Sequence, residues 1–514
     1  MLSRALLAAC LAAPASAQRV VLPRAAAVPT PLAPIVGLAP APLAGPTLSL
    51  PGSVAPRLSL PSASAALPLP VLPAAAARAA VPAAVLLAAP AAPAAAAVIP
   101  SDLPPSGGRF AKGLKVIPAA FGRLGRMSLD GLRGALGRAF DGQDTRPAPP
   151  VPADPADRIE FNGIALPRRA FSDESRISAA LVQVIDASRE TLDVAIHGLQ
   201  LREVAAALAR AKARGVRVRI VMNETHVWPR KPGEKRSPEV QALLDGGFEM
   251  RALRGSREYG VMHNKFLVAD SKLLWAGSYN WTRAADDMHL ENVFLTDDAH
   301  RIGGFAGYWR WMWDQGRPAD RKPPDTETGP EPAGPPPEDA ERPVTFNGVS
   351  LPAFAFAPRG TAEQWLAAAV AAAKKSVDVA MFSFTSPELK EALAAAKARG
   401  VKVRLLFDAR NAATLDTMKW FIAEGYDVRI RPGRDGRRGV LHNKYAVFDG
   451  VLVSAGSYNW TENADKNNFE NMSFLDRAAD ARGYGAYYER MWAGAKVPTP
   501  AELEKWARPF DAKD

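Results

Sequence analysis

The chain repeats itself, and no other feature constrains its fold as strongly. Phe161-Asn162-Gly163 recurs as Phe346-Asn347-Gly348, and Leu192-Asp193-Val194-Ala195 as Val377-Asp378-Val379-Ala380. Ala211-Lys212-Ala213-Arg214-Gly215-Val216 recurs as Ala396-Lys397-Ala398-Arg399-Gly400-Val401, and all three pairs stand 185 residues apart. From His263 and His442 onward the offset is 179, so the first copy carries a longer loop within Glu224–Val240. Two copies of one unit imply two like domains with equivalent cores, and they exclude a reading as two unrelated domains.

Within each copy the pattern is helix, strand, helix, strand, then a hairpin-like pair. Leu192–Ile196 and Val377–Met381 are apolar runs of buried-strand type. Val204–Arg214 and Leu389–Arg399 are Ala-rich helices that stop at Gly215 and Gly400, and strands Val216–Met222 and Val401–Phe407 follow at once. Such alternation predicts α/β layers. Each copy ends in an aromatic helical stripe, Phe305/Tyr308/Trp309/Met312/Trp313 and Tyr484/Tyr487/Tyr488/Met491/Trp492, which reads as core.

The chemistry lies between those elements. His263-Asn264-Lys265 is followed by Asp270, Gly277-Ser278-Tyr279-Asn280-Trp281-Thr282 and Glu291-Asn292. The second copy repeats this as His442-Asn443-Lys444, Asp449, Gly456-Ser457-Tyr458-Asn459-Trp460-Thr461 and Glu470-Asn471, with every internal spacing unchanged. Histidine and lysine two apart in a β-rich run share a face, which sets a titratable imidazole beside a cation. The Gly-Ser turn can aim N–H groups and a hydroxyl at an anion, and Asn adds an amide donor. A phosphodiester demands this set. Its transition state needs cations and donors around the phosphoryl oxygens, with a nucleophile on one side and a proton donor on the other. One copy supplies one histidine; two copies face to face supply both.

These residues closely resemble the phospholipase D superfamily, whose signature H-x-K-x4-D-x6-G-S-x-N occurs here twice, intact, within Arg158–Trp492. The resemblance implies two tandem α-β-α sandwich repeats packed as a pseudo-twofold dimer around one shared active site. It implies no metal and no cofactor. By the family pattern one histidine attacks phosphorus to form a phosphohistidine, the other protonates the leaving oxygen, and water then releases the product. His263 and His442 take those roles in an order the residues do not fix, with family habit leaning to His263 as nucleophile. Lys265, Lys444, Asn280 and Asn459, supported by Ser278 and Ser457, would hold the phosphate oxygens. Glu291 and Glu470 match the carboxylates that hold the imidazoles. Asp270 and Asp449 belong to the motif, and a turn-stabilising role is as open for them as a direct one.

The leading functional expectation is hydrolysis of phospholipid headgroups, with the site complete in one chain and no homodimer required. The alternatives are a metal-independent endonuclease acting on DNA or RNA, and a cardiolipin synthase-like phosphatidyltransferase using an alcohol in place of water. A non-catalytic phosphate-binding scaffold is disfavoured because both histidines are intact. His197, His226, His289 and His300 have no repeat partner or metal-ligand spacing and read as surface or loop residues. Arg251, Arg254 and Arg257 precede the first motif, and Arg429, Arg431, Arg434, Arg437 and Arg438 the second, where an anion-guiding role and a solvated face are equally open. Trp228, Arg230, Lys231, Lys235 and Arg236, in the longer loop, form a candidate rim for substrate selection.

The flanks differ in kind. Arg4, the apolar run Ala5–Ala13 and Ala15-Ser16-Ala17 read as an export signal over residues 1–17; a lipoprotein signal at Cys10 and an organellar transit peptide are the alternatives. Residues 18–105 are an Ala/Pro-rich low-complexity tether expected to be disordered, since 20 of the 46 prolines fall in residues 1–105. Residues 106–150 carry Phe110, Leu114, Ile117, Phe121 and Leu124 among arginines, a basic amphipathic segment that either docks on the next domain or touches a membrane surface. Arg317–Pro343, with nine prolines, reads as a solvated spacer between repeats at 151–316 and 344–514. One cysteine excludes a disulfide scaffold, a zinc ribbon and an iron–sulfur protein. The net charge of +11 suggests nucleic acid, but residues 1–150 hold 13 Lys and Arg against 4 Asp and Glu, leaving 51 against 49 for the rest. The charge belongs to the N-terminal region and argues only weakly for a nuclease.

Overall fold

The computed structural model describes residues 146–229, 234–256, 259–321 and 333–507; the expected signal, the tether and nearly all of the basic segment lie outside them. The first repeat opens with a hairpin of β1 (Arg158–Phe161) and β2 (Ile164–Pro167). Asn162 at φ 50° and Gly163 at φ 96° form its two-residue turn, which is why Phe-Asn-Gly recurs in the sequence. The eight strands that follow are β3 (Arg169–Phe171), β4 (Thr191–Ile196), β5 (Arg217–Asn223), β6 (Glu249–Leu253), β7 (Lys265–Ala269), β8 (Leu273–Gly277), β9 (Asn292–Thr296) and β10 (Arg317–Pro318). They form one sheet in the order β10-β6-β5-β4-β7-β8-β9-β3. β4, β5 and β6 are parallel, and β7 enters antiparallel beside β4, with Lys265 opposite Ile196.

Burial follows from the period of two along each strand. In β7, Leu267 and Ala269 pack with the helices Ile177–Ala187 and Arg202–Ala213, while Phe266 and Val268 face the terminal helix Ala299–Gln315 and the other repeat. The helix Arg202–Ala213 ends as expected: Arg214 caps it, Gly215 takes φ 92°, and Val216 N–H returns to Ala211 C=O at 3.1 Å.

The second repeat rebuilds this plan. β11 (Val344–Phe346) and β12 (Val349–Leu351) form its hairpin. Then come β13 (Phe354–Ala357), β14 (Ser376–Met381), β15 (Lys402–Asp408), β16 (Asp427–Gly433), β17 (Gly436–Val440), β18 (Lys444–Phe448), β19 (Leu452–Gly456) and β20 (Glu470–Leu475). Their order is β13-β20-β19-β18-β14-β15-β16-β17, so all but β10 and β17 have a counterpart at the same place. The α/β class and the two tandem sandwich repeats expected from the sequence are therefore present. No helix among the described residues is long and apolar enough to cross a membrane.

The repeats join through one continuous core. The aromatic stripe of Ala299–Gln315 packs on β13, where Phe356 stacks on Tyr308 at 4.0 Å between centroids and the Tyr308 hydroxyl donates to Ala357 C=O at 2.7 Å. Symmetrically, Phe171 of β3 stacks on Tyr487 of the helix Ala478–Ala493 at 4.4 Å. The spacer is not wholly solvated. Arg317 and Pro318 add β10 to the sheet, Ala319 is buried, and Asp339 accepts from His300 Nε2 at 2.9 Å and from Ala353 N–H at 2.6 Å. Its middle, residues 322–332, lies outside the described residues.

Because Phe356 is 1% exposed and belongs to both repeats' packing, Phe356→Ala should cost about 3–5 kcal/mol. Chemical denaturation of the full chain should show this as a lower midpoint. Retention of wild-type stability would mean that the shared aromatic layer does not hold the repeats together.

Candidate active site

Each motif histidine sits in the short link just ahead of a central strand, with the following lysine as that strand's first residue. The links pair across the seam: His263 N–H donates to Phe469 C=O at 3.0 Å, and His442 N–H to Leu290 C=O at 2.9 Å. Asn264 and Asn443, the residues between His and Lys, are fully buried. Each accepts at its Oδ1 from the asparagine after the other repeat's glutamate, Asn471 Nδ2 at 2.8 Å and Asn292 Nδ2 at 2.7 Å. These bonds bring the His263 and His442 rings to 6.4 Å between centroids.

The carboxylates cross over. His263 Nδ1 lies 2.8 and 2.9 Å from the two oxygens of Glu470, and His442 Nδ1 lies 2.8 Å from Glu291 Oε1. Each imidazole is thus held by the opposite repeat, which spacing within one copy did not reveal. The Nδ1–carboxylate bond fixes the tautomer and leaves Nε2 as the nitrogen no carboxylate uses. Ser278 and Ser457 have a different task from the expected phosphate support. Their hydroxyls donate to Glu291 Oε2 at 2.5 Å and Glu470 Oε2 at 2.6 Å. Gly277 and Gly456 precede them because a Cβ there would lie 2.3 Å from Asn292 C=O or Asn471 C=O. Asn280 and Asn459 are half-buried, and the Oδ1 of each is buried without a donor among the described residues. A buried amide oxygen in that state calls for a ligand or water.

Lys265 and Lys444 are 1% and 2% exposed. Their ammonium groups donate to the carbonyls of His263 and His442, so both cations point back toward the imidazoles. Burial pushes Lys444 down to about 7, opposed by Glu291 and Glu470, and pushes Lys265 in the same direction. Burial also lowers both histidines, His442 to about 3 against the opposing pull of Glu291, and His263 with further help from Lys265 and Lys444. The two glutamates diverge. Burial raises Glu470 to about 7 with Lys265 only partly countering it, while His442 and His289 outweigh burial at Glu291 and hold it at about 2. The direction at Glu291 has a visible cause: His289 Nδ1 stands 3.6 Å from it, whereas the equivalent neighbour of Glu470 is the neutral Asn468.

Several expected site residues stand elsewhere. Asp270 begins the turn after β7, at the far end of that strand from His263. Its oxygens accept from the backbone N–H groups of Arg189, Glu190 and Thr191 at 2.8 Å each and from Asn162 Nδ2 at 2.6 Å. Asp449 does the same for Lys374, Lys375, Ser376 and Asn347. Both are turn-holding residues, which removes them from the catalytic set. Arg251 and Arg429 are engaged in packing their own repeats. Each guanidinium lies over the last tryptophan of its repeat's aromatic stripe, Trp313 or Trp492, and donates to that residue's carbonyl at 2.6 and 3.0 Å. Arg431 donates to Met491 C=O at 2.9 Å, and Arg434 to His289 C=O at 3.0 Å across the seam. Trp228 is buried and donates to Ala319 C=O, so it anchors the long loop; Arg230 and Lys231 lie outside the described residues.

Three dismissed histidines belong beside the site. His197 packs on His263 at 5.2 Å and on His226 at 4.9 Å, and His289 lies 5.7 Å from His442. Five of the chain's six histidines therefore run in one row. The sequence did carry a signal: His197 occupies the place of Phe382, and His289 that of Asn468, at the same offsets as the motifs. His226 lines a groove of about 430 Å³ together with Thr225, Glu234, Lys235, Arg236 and Arg283. A larger cleft of about 470 Å³, lined by Arg168, Asp297, His300, Arg301, Glu341 and Arg477 among others, contains no motif residue.

A fold of two like sandwiches that each give one His-x-Lys and one Glu to a common centre defines a phosphodiester-acting class. The family described as "Cardiolipin synthase, PLD-like domain" matches residues 181–313 and 366–492, one match per repeat and together half of the chain. The chain belongs to the phospholipase D superfamily. It is 32% identical over 124 residues to a mitochondrial cardiolipin hydrolase of Xenopus tropicalis, covering 23% of this chain and 56% of that protein. A phospholipase D of Rickettsia bellii is 29% identical over 140 residues, 27% of this chain and 65% of that one. The matched segment thus spans under two thirds of these relatives. The solved phosphatidylserine synthase of Haemophilus influenzae aligns with 66% of this chain and 91% of its own at a TM-score of 0.51 and 14% identity, a likeness of fold.

The reassigned aspartates give a prediction with a definite sign. At Asp270 and Asp449 burial alone would raise the carboxyl, and backbone N–H groups with an Asn amide outweigh it, leaving both lowered. Stability from a depressed carboxyl is present above its unfolded value, ~3.9, and is lost as pH falls through the folded value. Asp449→Asn should therefore destabilise the chain at pH 7, by an amount that shrinks as pH drops below about 4. Thermal unfolding across pH measures it, and activity per folded molecule should stay within about threefold because the residue touches no reacting group.

Proposed function

We propose that the chain hydrolyses the headgroup ester of phospholipids by the phospholipase D reaction, through a phosphohistidine formed at the site shared by both repeats. The observation that carries this reading is the crossed pair of His–Glu bonds, at 2.8 Å in both directions, which sets two imidazoles of fixed tautomer over two buried lysines. One imidazole Nε2 attacks phosphorus as the bond to the leaving alcohol breaks. The other imidazole, as imidazolium, gives its proton to that oxygen. Water then attacks phosphorus, losing its proton to the second imidazole as the phosphorus–Nε2 bond breaks, and phosphatidate leaves with the first imidazole restored.

Lys265 and Lys444, with Asn280 and Asn459, are the groups to hold the phosphoryl oxygens, and Glu291 and Glu470 to orient the imidazoles. The depressed histidines of the empty site suit a neutral nucleophile. A bound phosphodiester anion raises them again, which favours the proton donor once substrate is present. On this reading His263 is the nucleophile and His442 the acid. Glu291 behind His442, with His289 also 3.6 Å away, is the carboxylate held low, and Glu470 behind His263 the one burial raises, which favours an imidazolium at His442.

The test uses the full chain with phosphatidylcholine, cardiolipin, and single-stranded DNA and RNA, side by side in EDTA. Headgroup release without nucleic-acid cleavage is expected. His263→Ala and His442→Ala should each lower it at least about 10³-fold. Substantial turnover by either variant would overturn the shared site. Nucleic-acid cleavage alone would make the chain an endonuclease. A phosphatidyl-alcohol formed in preference to phosphatidate when primary alcohol is added would make it a transferase.

A further inference from the structure

Repeat symmetry gives most residues around one half of the site a twin around the other. It fails two positions ahead of the glutamates. Asn468 donates from Nδ2 to Glu470 Oε1 at 3.0 Å, an ordinary satisfied amide. Its counterpart His289 faces Glu291 with Nδ1, 3.6 Å from Oε1, and that nitrogen is buried without a hydrogen-bond partner among the described residues. His442 Nδ1 approaches the same oxygen at 2.8 Å. One ligand atom each from His289, Glu291 and His442 thus lies within 4.8 Å of the others. Among the described residues no comparable group forms around Glu470.

Two imidazole nitrogens and a carboxylate are a donor set that zinc accepts, with a fourth position left to solvent. With metal–ligand bonds of about 2.0–2.1 Å, tetrahedral geometry places neighbouring donor atoms about 3.4 Å apart. The 3.6 Å between His289 and Glu291 is close to that, the 2.8 Å between His442 and Glu291 must open by roughly half an ångström, and the His289–His442 pair, within 4.8 Å, must settle at the same spacing. The ion would take the place of the proton shared by His442 and Glu291. His289 and His442 side chains are 18% and 9% exposed, so the group is open to solvent on one side.

We propose that His289, Glu291 and His442 form a site for Zn²⁺ or a cation of similar preference, Co²⁺ or Ni²⁺, and that an ion bound there blocks the reaction by occupying His442. The blocking part rests on the function proposed above; the binding part does not. Mg²⁺ and Ca²⁺, which prefer oxygen donors, leave the enzyme unaffected.

Full-length, metal-stripped protein titrated with Co²⁺ tests binding without reference to activity. The expected result is visible absorption of a low-coordinate cobalt centre saturating at one equivalent and displaced by Zn²⁺. His289→Asn, which copies the other half-site, should abolish that absorption. It should also raise the Zn²⁺ concentration for half-inhibition, relative to the variant's own metal-free rate, by at least tenfold. Asn468→His should add a second equivalent on the Glu470 side, a gain that no folding defect mimics. Absence of the cobalt spectrum in the wild type, or an unchanged spectrum in His289→Asn, overturns the site. Cobalt binding as described, in a protein that cleaves no phosphodiester tested, would sink the functional reading and leave the metal site standing.

Discussion

A carboxylate with no exposed surface is tolerable only when its charge is answered on all sides, and the chain contains two of them at its centre, Glu291 and Glu470. Each is answered by its own repeat's serine and by the other repeat's histidine. Neither repeat can satisfy its glutamate alone. The backbone pairing of the His links with Phe469 and Leu290, the exchanged asparagine amides and the stacked aromatics of Phe356 and Tyr308 all serve to keep that exchange in register. Removing one partner of such a buried pair typically costs about 3–5 kcal/mol, so site geometry and assembly of the two sandwiches are one energetic problem.

The sequence made the repeats, the helices stopped by Gly215 and Gly400, and the central strands legible, because those features depend on local periodicity and capping. It also made legible that His263 and His442 should meet, since the two-histidine reaction implied by the family resemblance needs both, and their rings do lie 6.4 Å apart. What it could not carry was the partner across a seam. Spacing places Glu291 some distance beyond His263, and only the packed pair of sheets shows that its imidazole is His442. The same gap left the roles of Asp270 and Arg251 open. An Asp after a strand and an Arg before a motif look alike whether they face the substrate, a turn or a tryptophan.

Duplication also explains why the site can be asymmetric without losing its frame. The shortest crossed bond is 2.8 Å on both sides, so the imidazoles are held alike whatever stands around them. Residues one step further out are free to diverge. His197 against Phe382 and His289 against Asn468 are such divergences, and they give each motif histidine a different neighbour while the shared bonds stay at 2.8 Å.

That divergence bears on a step symmetry alone cannot resolve. Two equivalent imidazoles facing one phosphate have no reason to divide the labour of nucleophile and acid, yet the proposed reaction requires that division at every turnover. In a dimer of identical chains it would have to arise from the substrate. Here the two halves already differ, because Glu291 has two histidines near it and Glu470 one histidine and an amide. On the proposed mechanism the Glu291 half-site is the one to carry the proton, and the extra imidazole that sets it apart is also the third member of the proposed metal donors.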